Sequence, residues 1–130
     1  MNAKILYIED NPQNFYLVKY ILTAKGHEVS WAHDGREGLA AAARARPDLV
    51  LLDIQLPVMD GYAVARSFRA DPGLATIPLV ALTSYAMAGD RQKALESGCD
   101  GYIEKPLNPK TFAAQIGQYL PGNTPEAREP

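Results

Sequence analysis

Glu9, Asp10 and Asp53 are carboxylates, Thr83 is a hydroxyl and Lys105 an ammonium, and each stands at the end of a short apolar run. Lys4-Ile5-Leu6-Tyr7-Ile8 runs into Glu9-Asp10, and Leu49-Val50-Leu51-Leu52 into Asp53. Leu79-Val80-Ala81-Leu82 runs into Thr83, and Gly101-Tyr102-Ile103-Glu104 into Lys105-Pro106. Carboxylates gathered within about 5 Å repel one another by several kcal/mol in partly dry surroundings. Such a cluster needs a cation or shifted protonation equilibria to persist. A hard divalent ion with oxygen ligands suits it, magnesium first, and magnesium draws in phosphoryl oxygens. A hydroxyl and an ammonium supply the complementary half by holding the remaining phosphoryl oxygens. Asp53, between them, is the natural nucleophile, because carboxylates form acyl phosphates. A single aspartate at a strand end is ordinarily a turn or cap residue, and a single lysine before proline ordinarily lies on the surface. Five such residues at four run ends point to a site.

The elements that must bring these residues together follow from patterning. Apolar runs of four or five residues bounded by turn formers read as strands buried on both faces of a parallel sheet. Between them lie helical patterns. Asn11-Pro12 offers a cap and a first-turn proline; Phe15, Val18, Ile21 and Leu22 then recur at helical spacing, and Gly26 ends the segment. A further strand spans roughly 28–32, with Val29 and Trp31. Asp34 caps a helix reaching about Arg46, closed by Pro47. A third helix is expected over 62–70, with Val64, Ala65 and Phe68 inward, and a fourth around 90–97, ended by Gly98. The last helix is expected to begin at Asn108-Pro109, with Phe112, Ile116, Tyr119 and Leu120 on one buried face. Alternation of strands and helices predicts an α/β doubly wound, five-stranded parallel sheet covered by five helices in three layers. Ligands of such sheets bind at the carboxyl edge.

Bulk properties narrow the classes. The chain has 130 residues, enough for one domain, and 47% apolar with 22% charged residues supports an ordinary core. A formal charge of −2 gives no basic footprint for nucleic acid. No run of eighteen apolar residues is present, and Met1-Asn2-Ala3-Lys4 leads straight into a strand-like run without a signal peptide. The single cysteine, Cys99, fits a reducing cytoplasm and reads as a small residue beside a turn. Residues 1–120 read as the domain. Residues 121–130 hold three prolines, one glycine and three charges, the composition of a disordered tail.

The chain resembles the receiver domains of two-component response regulators. The matching stretches are Ile8-Glu9-Asp10-Asn11, Leu51 through Gly61 (Leu-Leu-Asp-Ile-Gln-Leu-Pro-Val-Met-Asp-Gly), Ala81-Leu82-Thr83-Ser84 and Tyr102-Ile103-Glu104-Lys105-Pro106. The resemblance implies the flavodoxin-like strand order 2-1-3-4-5. It implies that Asp53 accepts phosphate from a histidine kinase or a histidine phosphotransfer protein. Asp10, Asp53 and the backbone carbonyl of Gln55 would ligate magnesium, with manganese as a substitute, and Glu9 would act through a bound water. Thr83 and Lys105 would each take a phosphoryl oxygen. Tyr102 matches the switch aromatic, and the Lys105–Pro106 bond is expected to be cis, an isomer tolerable only before proline. Gln55 and Tyr85 occupy the positions that tune autodephosphorylation. The segment Ala86-Met87-Ala88-Gly89-Asp90 resembles stand-alone cell-cycle receivers and the receivers of hybrid kinases. A downstream protein would bind the face made by the fourth helix, the fifth strand and the fifth helix.

Phosphatases of the haloacid-dehalogenase type form the same aspartyl phosphate but place a second Asp two residues on, as general acid and base. Gln55 stands there and cannot do that work, so the expectation is a slowly decaying switch rather than an enzyme. A phosphorylation-independent receiver-like interaction module and a flavodoxin-like cofactor carrier are the remaining alternatives. No G-x-x-x-x-G-K-[ST] phosphate loop occurs.

Overall fold

The computed structural model describes residues 2–56, 59–84 and 89–120. Its elements alternate as β1(Lys4–Ile8), α1(Pro12–Thr23), β2(Glu28–Ala32), α2(Gly35–Ala45), β3(Leu49–Asp53), α3(Gly61–Ala70), β4(Leu79–Thr83), α4(Asp90–Glu96), β5(Gly101–Glu104) and α5(Phe112–Gly117). The strands form one parallel sheet in the order β2-β1-β3-β4-β5. This is the expected doubly wound, flavodoxin-like arrangement. The expected disordered tail and the residues Pro57, Val58 and 85–88, Tyr85 included, lie outside the described residues.

Side chains alternate across the sheet, and each face buries its own core. Leu6, Ile8, Val50, Leu52, Leu79 and Ala81 face Ala42 of α2, Val64, Ala65 and Phe68 of α3 and Ala94 of α4. Ile5, Tyr7, Leu49, Leu51, Val80, Leu82 and Ile103 face Phe15, Val18 and Leu22 of α1 and Phe112 and Ile116 of α5. Every residue of β3 and β4 is buried, which explains why these strands read as unbroken apolar runs.

Local chemistry sets the helix ends. The Asn11 side chain accepts from the amides of Gln13 and Asn14, and Pro12 occupies the first turn. Asp34 accepts from Glu37 N at 2.8 Å, while the Glu37 carboxylate reaches back to His33 N at 3.3 Å, a reciprocal arrangement close to a capping box. Arg46 follows α2 in the left-handed region at φ 49°. Arg69 of α3 closes the opposite edge of the sheet, donating to the carbonyls of Gly98, Ala75 and Ile77 and to the Asp100 carboxylate at 2.8 to 2.9 Å.

One boundary differs from expectation. The Asn108-Pro109 pair does not start α5 directly. The Asn108 side chain accepts from Lys110 N at 2.9 Å and its carbonyl accepts from Thr111 N and Phe112 N, making a turn ahead of a helix that begins at Phe112. An asparagine that bonds its own backbone two residues on favours a turn over helix continuation. Tyr119 and Leu120, expected within the helix, follow it in a tight turn in which Tyr119 N bonds Ile116 O.

Candidate functional site

The parallel ladder continues past the strand ends and holds them level. Glu9 N donates to Ala32 O at 2.9 Å, Ile54 N to Leu82 O at 3.0 Å and Lys105 N to Thr83 O at 2.7 Å. The carboxyl edge therefore brings Glu9, Asp53, Thr83 and Lys105 into one neighbourhood, as the run ends imply. Lys105 Nζ lies 2.8 Å from Asp53 Oδ2 and 3.1 Å from Glu9 Oε1. The Lys105–Pro106 peptide bond is cis.

Glu9 is 1% exposed and fully engaged. Its Oε1 accepts from the Tyr7 hydroxyl at 3.0 Å and Asn14 Nδ2 at 2.9 Å, besides Lys105. Its Oε2 accepts from Asp10 N at 3.0 Å and Asn11 N at 3.3 Å. The Glu9 carbonyl accepts from the Trp31 indole at 2.7 Å. Burial alone would raise Glu9; its hydrogen bond with Asp53 and the Lys105 charge overcome that and hold it at about 2. Asp53 moves the other way. Burial, with Glu9 beside it and against the pull of Lys105, pushes it up to about 6. Two carboxyls sharing a site separate in this manner, one favoured as the anion and one less so. Asp10 is exposed at the rim, and burial of its carboxyl with Glu9 nearby raises it. For Lys105, burial opposes the charge, but Asp53 and Glu9 outweigh it and raise the ammonium. Tyr7 is raised far above an ordinary phenol by burial and then by Glu9, so it stays a donor.

Gln55 ties two strand ends together. Its backbone N–H donates to Asp53 Oδ1 at 2.8 Å, its Nε2 donates to Thr83 Oγ1 at 2.7 Å, and its Oε1 accepts from Ser84 N at 3.4 Å. Tyr102 packs partly against the core beneath α4; its phenolic oxygen is shut off from solvent without a hydrogen-bond partner among the described residues.

The donor set suits a hard cation in chemistry. Asp10 and Asp53 offer carboxylate oxygens, and the Gln55 backbone adds a carbonyl to the same loop. Among the described residues no three acidic, histidine or cysteine side chains already surround a common point, and Glu9 is committed to five donors. The fit thus rests on two carboxylates and a carbonyl, with Glu9 behind them.

Sequence reasoning passed over Tyr7, Asn14 and Trp31. Tyr7 reads as a core strand residue and Trp31 as a strand aromatic, and they are also both. Asn14 had a usable signal: the Asn11 cap turns the chain so that the first helical turn stands over the end of β1.

Residues 5–117 match the response regulator receiver domain family. The chain belongs to that family. It is 38% identical over 120 residues to the polar-differentiation response regulator DivK of Brucella anthropi, an alignment covering 92% of this chain and 98% of that protein. A chemotaxis protein of Vibrio cholerae superposes with a TM-score of 0.86 at 32% identity, covering 92% of this receiver and all of that chain. The receiver domain of a sensor histidine kinase of Pseudomonas aeruginosa, solved with magnesium in its active-site cleft, superposes with a TM-score of 0.83 at 34% identity over 92% of this chain and 98% of that one. Among the described residues of the receiver no helix is long and apolar enough to cross a membrane.

Proposed function

We propose that this receiver is the phosphoacceptor of a two-component phosphorelay, taking a phosphoryl group onto Asp53 from a phosphohistidine of a sensor kinase or phosphotransfer protein. The observation that carries this is Lys105 Nζ within 3.1 Å of both Glu9 and Asp53, with Thr83 tied in by Gln55. An Asp53 oxygen attacks phosphorus as the nitrogen–phosphorus bond of the donor breaks, leaving a neutral imidazole on the donor and an aspartyl phosphate on this chain. Lys105, held by burial and two partners, lies where one phosphoryl oxygen gathers charge, and the Thr83 hydroxyl donates to another. Asp10, Asp53 and the Gln55 carbonyl would hold magnesium, which supplies charge neutralisation for the incoming phosphoryl oxygens. The magnesium in the Pseudomonas relative's cleft supports this assignment.

A cleft of about 390 Å³ lies beside Lys105, between Asn14 and Leu17 of α1 and Pro106 and Leu107 after β5. The output is a shift in population: added charge beside Thr83 and Lys105 biases the end of β4 and Tyr102, and the face of α4, β5 and α5 then binds a downstream protein differently. The protein is a cytoplasmic switch rather than a turnover enzyme. Gln55 is no base, and its amide is already spent on Thr83 and Ser84, so the phosphorylated state should decay over minutes or longer in purified protein; decay within seconds contradicts this.

The test is intact mass after incubation with a small acyl phosphate and magnesium. The wild type should gain one phosphoryl group, and Asp53→Asn, or wild type with the metal chelated, should gain none. A wild type that gains nothing would favour a phosphorylation-independent interaction module.

A further inference from the structure

Trp31 is the chain's single tryptophan, and it is placed with unusual definition for a residue on an edge strand. Its ring stacks on Phe15 with centroids 4.5 Å apart and planes 7° apart, His33 covers it at 4.3 Å, and Tyr16 meets it edge-on at 6.0 Å. That packing aims the indole N–H at the Glu9 carbonyl, 2.7 Å away. The peptide unit joining Glu9 to Asp10 is thereby fixed at both ends. Its carbonyl is taken by Trp31, and its N–H is taken by Glu9 Oε2 at 3.0 Å. The two carboxylates hang from the two Cα atoms of that one peptide plane, so a tilt of the plane moves both.

We infer that Trp31 is a positioning residue for the acidic site, its indole N–H fixing the Glu9–Asp10 peptide plane so that Asp10 and Glu9 are presented together toward Asp53 and a bound divalent cation. The inference rests on the metal-dependent phosphoacceptor reading. Side chains that orient metal ligands without touching the metal raise affinity because the ligand geometry is fixed before binding. The aromatic stack supplies the stiffness: the ring lies against both Phe15 and His33, and the indole cannot turn away without breaking the stack.

The experiment is magnesium titration of the whole ¹⁵N-labelled chain at pH 8 with no phosphoryl donor, following the Gln55 amide. Trp31→Phe keeps a six-membered ring for Phe15 and His33 and removes the donor along with part of the stacked area; magnesium affinity should fall about five- to tenfold, the scale of one lost hydrogen bond behind a ligand. Phe68→Leu trims a buried ring in the core on the other face of the sheet, away from the stack, and serves as the control for stability alone. It should unfold at lower temperature and keep affinity within about twofold of wild type. Equal affinities in wild type and Trp31→Phe would overturn the inference and leave the phosphoacceptor reading intact. A wild type that binds no magnesium would overturn both. Independently of any variant's folding, the indole N–H of the metal-free wild type must be protected from exchange with solvent, as the 2.7 Å bond to the Glu9 carbonyl requires, and an indole N–H that exchanges at the rate of a free one overturns the inference.

Discussion

Lys105 holds Asp53 and Glu9 at once, with side chains only 12%, 5% and 1% exposed. Removing one member of a buried ionic group leaves the others uncompensated, which costs more than the group contributes when whole. Lys105→Met should therefore lower unfolding free energy by roughly 3 kcal/mol, measured by urea denaturation at neutral pH without metal. Adding Asp53→Asn should return part of that loss, since one of the two facing carboxylates is gone. A double variant no more stable than the single would mean that Lys105 acts through packing alone. The main residues of this cluster were legible in the sequence because acid, hydroxyl and ammonium interrupt apolar runs at strand ends. The division of labour among them was not. Glu9 and Asp10 are neighbours with the same chemistry, and only the tertiary partners Tyr7, Asn14 and Lys105 make one buried and strongly acidic while the other stays at the rim.

The strands and helices were legible for the same periodic reasons, and the exceptions show what periodicity omits. Asn108-Pro109 carries the signature of a helix start, yet the Asn108 side chain prefers its own backbone, and α5 begins later. Gly61 shows another omission. A Cβ built there would stand 2.6 Å from Ile54 Cα and 2.8 Å from Asp53 O, both backbone atoms at the end of β3. Gly61→Ala should force α3 away from the end of β3, costing roughly 1–3 kcal/mol and slowing phosphoryl uptake in the mass assay. At the opposite end of the sheet, His27 Nδ1 accepts from Ala3 N at 3.2 Å, and burial lowers its ring below the ordinary value. The fold thus favours neutral imidazole, and the unfolded chain binds the proton more readily. This contribution is complete above the unfolded value of about 6.5 and is lost as pH falls through the lower folded value. His27→Gln, which keeps an acceptor without a titration, should lose less stability between pH 7.5 and pH 5.5 than wild type in parallel urea melts.

Across the whole molecule, two cores share one sheet, but the helices on them are not equally secured. α4 has seven residues, starts after Gly89 at φ 90° and has no side-chain cap bond. Cys99, just beyond it, is 5% exposed, and burial pushes its thiol up to about 11 against the pull of Arg69. An aromatic disulfide at pH 8 should therefore modify Cys99 only when α4 lifts, at an opening free energy smaller than that of global unfolding. Equality of the two would mean that α4 and the core open together. The ammonium at the centre of the site carries a further consequence. Its partners lie 52 and 96 residues earlier in the chain, and it belongs to the loop after the last strand. During synthesis the ribosome releases Asp53 long before its counter-charge. A chain stalled or cleaved ahead of residue 105 carries every acid of the centre without the ammonium that bonds Asp53 and Glu9. On the proposed function, a chain cut there should gain no phosphoryl group in the mass assay, and uptake equal to that of the whole chain would contradict this.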